Sequence, residues 1–314
     1  MVSEEQHKSD NRGRPVTDEF RAFVASDWAP RSTPTPVLAE VAPYAALRRA
    51  TVSAAFPGER LVIPAGGLKV RSNDCDYIFR PHSAFAYLTG LGGDREPDAV
   101  LVLEPLDDGS HESILYFRPL AGRETEEFFG DSRYGEFWVG ARPGLADIEA
   151  ELGLSARHID DFTGAVGKDV GATGIRVVRD ADRDLTAVID SLREGTAGSS
   201  ESETLRAGDE ELAHFLSTQR LVKDEWEIGQ MRDAIKATAN GFDAVIAALP
   251  EALERGRGER WVEGVFGLHA RHQGNGVGYD SICAAGDHAS TLHWIKNTGD
   301  VNDGELLLDR KSVV

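Results

Sequence analysis

The chain has 314 residues, enough for two domains of ordinary size that each bury their own core. Hydrophobic residues make up 41% and charged residues 28%, the balance of a globular protein rather than a disordered or fibrous one. The net charge of −19 argues against a nucleic acid partner, which needs a concentrated basic face, and against an anionic membrane surface.

Residues 1–36 read as an N-terminal extension. The first 17 are polar, with no apolar run that would make them a signal peptide. Phe20, Phe23, Val24 and Trp28 then recur at helical spacing and predict a short helix over 18–29, ended by Pro30, Pro34 and Pro36. From 37 to 193 helix and strand patterns alternate. A helix at 42–55 carries Tyr44, Leu47 and Val52. Short apolar runs at 60–64, 98–105 and 113–117, bounded by Gly and Pro, predict buried strands. Helices at 145–153 and 182–193 complete an α/β layer arrangement. Residues 194–204 are rich in Gly, Ser and Glu without a large apolar side chain, and predict a linker.

The second part, 205–308, opens with a long helix. Asp224 and Glu227 form a capping box. Ile228, Met231, Ile235, Phe242, Val245, Ile246 and Leu249 mark one apolar face, and Pro250 is expected to stop the helix. A helix near 258–272 and strands near 278–284 and 304–308 follow. No stretch approaches the length of a membrane span, so a cytoplasmic location is expected. Cys75 and Cys283, far apart, read as free thiols in a reducing compartment.

Single chemical signals are weak. His269 and His272 stand three apart on a helix, but without Glu or Cys at ligand spacing they read as surface or half-buried histidines. His82 and His288 fall in loops with no evident partner. More specific is Gly278-Tyr-Asp-Ser-Ile-Cys-Ala-Ala-Gly286, followed by Thr291-Leu-His-Trp294. The small residues Ala284 to Gly286 let the backbone approach a ligand closely. His293, between apolar neighbours, reads equally as a hydrogen-bonding group for a carbonyl or carboxylate and as a satisfied core histidine.

Several longer motifs occur in a fixed order. They are Arg71-Ser-Asn-Asp-Cys-Asp76-Tyr77-Ile-Phe79-Arg80-Pro-His-Ser83-Ala-Phe85-Ala-Tyr87-Leu88-Thr89-Gly90, Glu96–Leu103, Arg220–Ile228, Tyr279–Gly286 and Leu292-His293-Trp294. Over most of residues 20–308 this order resembles the bacterial Xaa-Pro aminopeptidases (aminopeptidase P) of the pita-bread metallopeptidase family M24B. The resemblance implies a creatinase/aminopeptidase P-like mixed-sheet domain at 37–193, then the incomplete start of an α+β pita-bread catalytic domain. It also implies removal of the N-terminal residue from a peptide substrate with proline at position two. The cofactor would be two divalent ions, usually manganese, held by two Asp, one His and two Glu. A homo-oligomer, dimer or tetramer, is implied for the full-length family. The family histidine matched by His293 lies beside the metals and assists substrate binding and catalysis, so His293 is the one catalytic residue carried over.

The pattern then breaks. The family strand runs Gly-Asp-Leu-Leu-Leu-Leu-Asp-Ala-Gly, and its second Asp is the first metal ligand. Counted from Gly304, that position holds Arg310, while Asp309 stands one residue early and on the opposite strand face. Arg310 would bring a cation toward a site meant for cations. Residues 309–314 read as a non-native tail, and the chain as truncated early in the catalytic domain and inactive as it stands. On this reading no metal ligand lies within it, residues 205–314 are unstable, and Leu306, Leu307 and Leu308 form an unpaired apolar edge. Arg71, Asp76, Tyr77, Arg80 and Ser83 read as structural, through an Arg–carboxylate pair and a buried tyrosine hydroxyl before a strand at 87–90. The segment Glu124–Arg142 reads as a lid or an oligomer contact. Alternatives are a prolidase- or creatinase-type relative and a metal-free peptide-binding module of the same fold.

Overall fold

The computed structural model describes residues 17–31, 36–73, 75–194 and 201–314. They form two compact units, Met1–Val222 and Lys223–Val314. In chain order the first holds α1 (Asp18–Ala25), α2 (Ala42–Ala55), β1 (Arg60–Pro64), β2 (Val70–Ser72), β3 (Cys75–Asp76), α3 (Ser83–Thr89), β4 (Val100–Pro105) and β5 (His111–Phe117). It continues through α4 (Glu126–Gly130), α5 (Glu136–Val139), α6 (Leu145–Leu152), β6 (Ser155–His158), α7 (Phe162–Gly167), β7 (Ile175–Val177), α8 (Arg183–Glu194) and α9 (Glu201–Gln219).

A five-stranded mixed sheet, ordered β6-β5-β4-β1-β7, is its centre. The inner pairs β1–β4 and β4–β5 are antiparallel, and the edge strands β6 and β7 join in parallel. The inner strands are apolar along their length because both faces are covered. Leu61, Ile63, Leu101, Leu103, Leu115 and Phe117 pack beneath residues of α2, α3, α6 and α9. Val62, Val100, Val102, Ile114 and Tyr116 face Phe162 and Val166 of α7 and Ile189 of α8.

Two expectations change here. Residues 87–90 are not a strand: His82 accepts a hydrogen bond from the Ala84 amide at the start of α3, and Gly90 closes the helix at φ 81°. The division of the chain also lies later than the 194–204 linker. Residues 195–200 lie outside the described ones, and from Glu201 the chain is helical. Leu212 and Leu216 of α9 are buried in the first core. Asp209, fully buried, accepts from the Val177 amide at 2.8 Å and pairs with Arg193 at 2.7 Å. These contacts bind α9 to the first unit.

The second unit comprises α10 (Glu225–Glu254), α11 (Gly258–Gln273) and the antiparallel pair β8 (Ile282–Ala285) and β9 (Leu307–Arg310). The capping box forms: the Glu227 amide donates to Asp224 at 2.9 Å, and the Asp224 amide to Glu227 at 3.1 Å. Pro250 does not end the helix, which continues to Glu254. The missing proline N–H leaves only the Ile246 carbonyl without its helical donor, and Ile246 is exposed to water. The buried face of α10 is Ala237, Gly241, Val245 and Ala252, small enough for α11 to approach closely. A Cβ on Gly241 would stand 2.7 Å from the Phe266 ring. Of the expected stripe, Val245 lies on this face and Phe242 and Leu249 pack against the core, while Met231, Ile235 and Ile246 are exposed. Residues 309–314 belong to the unit rather than trailing from it. Val313 is buried and bridges Val277, and Asn275 donates its amide to Val314 at 2.7 Å. Leu307 and Leu308 pair with Ala285 and Ala284, so the strand is partnered along this edge. Among the described residues no helix is long and apolar enough to cross a membrane, and neither cysteine is in a disulfide.

Phe266→Ala should destabilise the second unit by about 3–5 kcal/mol, the usual cost of a large core deletion. Ile246→Lys should stay within about 0.5 kcal/mol; urea melts of both variants check the contrast. Limited proteolysis should leave a protected fragment ending near Val222, because the larger two-faced core lies before it. Protection extending evenly to residue 314 would contradict this.

Candidate functional site

Everything the sequence singles out after residue 278 gathers around β8, the loop that follows it and β9. The loop starts with a 3₁₀ turn at Gly286–Ser290 and has no strand at 292–294. Its shape comes from a side chain the sequence did not flag. Glu259, in the first turn of α11, is fully buried. Its Oε1 accepts from the Ala285 amide and His288 Nδ1, both at 2.8 Å. Its Oε2 accepts from Trp294 Nε1 at 2.9 Å and the Gly299 amide at 2.6 Å. The His288 and Trp294 rings stack with centroids 3.9 Å apart. His288 therefore has the partner its sequence context did not reveal. Gly299 is required, since a Cβ there would stand 2.9 Å from the Glu259 carboxylate.

Asn297 ties the same loop to β8. Buried, at φ 45°, it accepts from the Cys283 amide at 3.0 Å and donates to the Ser281 carbonyl at 2.9 Å. His293 sits at the tip, exposed beside Leu292 at 86% exposure, so it is not a core histidine.

At the strand end, Asp309 faces inward opposite Cys283, with its carboxylate against the Lys311 ammonium. Arg310 points the other way, exposed, its guanidinium 4.3 Å from the centre of the Tyr279 ring. The cation brought to this carboxylate is thus Lys311 and not Arg310. Burial raises the pKa of Asp309 despite Lys311, and it pushes the Cys283 thiol up to about 12. Cys283 is therefore a packed thiol rather than a nucleophile. No group of three or more His, Cys, Asp or Glu able to hold a metal occurs among the described residues. The residues present do not fit a two-metal centre: one carboxylate, already paired with a lysine, is the wrong donor set. His269 is half-buried and His272 exposed on α11, without companions for a site.

In the first unit, Asp76 does form an Arg–carboxylate pair, with Arg133 at 2.8 and 3.0 Å. A buried tyrosine hydroxyl near this pair is that of Tyr134, which donates to Asp98, while Tyr77 is exposed. Arg71, Arg80 and Ser83 are exposed. His82 lies 3.5 Å from Asp180.

The Glu259 cluster sets a pH window. Burial alone would raise its pKa, but the bonds from Ala285, Trp294, Gly299 and His288 outweigh it and hold the carboxyl below its ordinary 4.5. The stabilisation is complete above 4.5 and is lost as pH falls through the lowered value. The Glu259 side-chain carboxyl ¹³C resonance should therefore have its titration midpoint below 4.5. A midpoint above 4.5 would contradict the assignment.

Comparison with known proteins agrees with this geometry. Residues 45–176 match the model of the aminopeptidase P N-terminal domain, and residues 229–309 match metallopeptidase family M24. Xaa-Pro aminopeptidase 2 of Streptomyces coelicolor is 42% identical over 293 residues, which cover 93% of this chain and 58% of that protein. Xaa-Pro aminopeptidase 1 of the same organism is 44% identical over 295 residues, covering 93% and 56%. Aminopeptidase P from Escherichia coli, in its low-pH form, superposes with a TM-score of 0.67 at 24% identity, covering 85% of this chain and 58% of that one. Proline aminopeptidase P II from Yersinia pestis gives 0.66 at 23%, with the same coverage. These structures share the fold, and the chain spans a little more than half the length of the relatives it matches. With both domain models in order and relatives above 40% identity along nearly all of it, the chain carries an aminopeptidase P N-terminal domain followed by a metallopeptidase family M24 region, as its Xaa-Pro aminopeptidase relatives suggest.

Proposed function

We propose that this chain is part of a metal-dependent Xaa-Pro aminopeptidase, which releases the N-terminal residue from peptides with proline at position two. One observation carries the reading: the two domain models match in order along this chain, which is 42% and 44% identical to proteins named Xaa-Pro aminopeptidase. The first domain runs to Val222 and the peptidase domain starts at Lys223, a division supported by the compact units. His293 is the residue that meets substrate, a role its exposed position at the loop tip supports. The complete enzyme works with manganese in the cytoplasm, as a homo-oligomer.

The 314-residue chain by itself does not cleave, because its one strand-end carboxylate is engaged by Lys311. That ion pair also favours a second reading, a metal-free module that binds peptides without cutting them.

Both readings meet in one assay. The purified chain, given manganese and a fluorogenic Xaa-Pro peptide, should release no N-terminal residue and should bind no stoichiometric manganese by calorimetry. The reading frame lengthened to that of the relatives should cleave, and His293→Ala in it should lower kcat/KM by about 10²-fold or more, the range for a positioned acid–base group. Peptide binding by both chains without cleavage would favour the module. Cleavage by the 314-residue chain with bound manganese would overturn the account of its inactivity.

A further inference from the structure

We propose that Glu259 is the positioning residue of the loop that carries His293. Asn297 ties the loop's exit to β8, but it does not reach the tip. Its regular structure ends with the 3₁₀ turn at Ser290, and Leu292 and Ile295 next to the tip are 86% and 51% exposed. Apolar burial therefore does not fix the tip, and polar bonds do. The donors to Glu259 come from the loop's entry (Ala285), its turn (His288), the residue after His293 (Trp294) and its exit (Gly299).

Each carboxylate oxygen takes one backbone N–H and one ring N–H, so the four bonds use the charge evenly. The carboxylate stands on α11, whose Val262, Phe266 and Ala270 are buried in the unit's core, so the anchor itself is rigid. Because Trp294 follows His293 directly, fixing its indole fixes the backbone on which the histidine stands. A neutral isostere cannot do the same. Glutamine offers one acceptor oxygen, so two of the four donors would face an amide that itself donates.

The anchoring stands apart from the reading of His293 as a substrate group; only its consequence for catalysis rests on that reading. The test uses the full 314-residue chain, with Glu259→Gln and Trp294→Phe, followed by NMR. Circular dichroism and thermal melts establish that each variant is folded. In Glu259→Gln the Trp294 indole N–H should exchange with solvent about tenfold faster or more, as expected for a lost charge-assisted bond. The His293 ring resonance should shift and broaden in both variants. A folded Glu259→Gln chain with unchanged Trp294 exchange and an unchanged His293 resonance overturns the proposal. Should Glu259→Gln fail to fold, Trp294→Phe decides, and an unmoved His293 there overturns it too. If His293 moves in both variants while His293→Ala leaves kcat and KM of the lengthened enzyme unaltered, the anchoring holds and the catalytic reading of His293 fails.

Discussion

A carboxylate taken out of water must find donors inside the protein, and the second unit is organised by that requirement. Glu259 is fully buried, and an ionised group in such a place is tolerated only when several hydrogen bonds replace its hydration. Four do. They reach residues 26 to 40 positions further along the chain, so one side chain converts a segment with little regular structure into a defined surface. Gly299 follows from the same constraint, and Asn297 adds a separate tie to β8. The first leaves room for the carboxylate, and the second accepts a left-handed backbone so that its amide can bridge Ser281 and Cys283.

The first unit solves the same problem with arginines. Asp209 draws Arg193, Arg179 and the Val177 amide around it, which ties α8, β7 and α9 together. Removing one partner from such a group is costly, since it strands a buried charge by about 3–5 kcal/mol. This is why α9 travels with the sheet although a Gly- and Ser-rich segment separates it from α8. Composition marks where a chain can bend, whereas buried charge and core leucines mark where it is held.

That contrast explains how much was legible in the sequence. The inner strands and α2 stood out because both their faces are apolar or their period is regular: the run at 60–64 and the helix at 42–55 have the observed limits. The edge strands β6 and β7 did not. Ser155–His158 and Ile175–Val177 are short and partly polar, and they exist only because β5 and β1 offer them a ladder. The helix at 83–89 carried a local signal in Gly90, a residue suited to a left-handed cap, which the aromatic spacing around it obscured. On α10 the apolar stripe marks only part of the buried face, Phe242, Val245 and Leu249, because close helix packing also selects small residues. Ala237 and Gly241 lie against α11, while Met231 and Ile235 face water. Nothing near Glu259 in sequence announces its role, because its partners are all distant. The family motifs drew attention to His293 and left the residue that holds it unseen.

The strand end shows the same electrostatics with the opposite consequence for chemistry. Asp309 is inward-facing, and burial alone would make its charge expensive. A metal centre would supply the cation from outside; here Lys311, itself buried, supplies it from two residues away. The ammonium lies 5.5 Å from the centre of the Phe266 ring, so it is framed by an aromatic wall and a carboxylate rather than by water. Such a pair balances its charge internally and offers an incoming divalent ion only one already-neutralised ligand, where a two-metal site needs several free carboxylates. The local fold of the strand and the ability to hold metal are thus separable properties. This chain keeps the strand, its partner β8 and the anchored loop, and completes them with an internal ion pair.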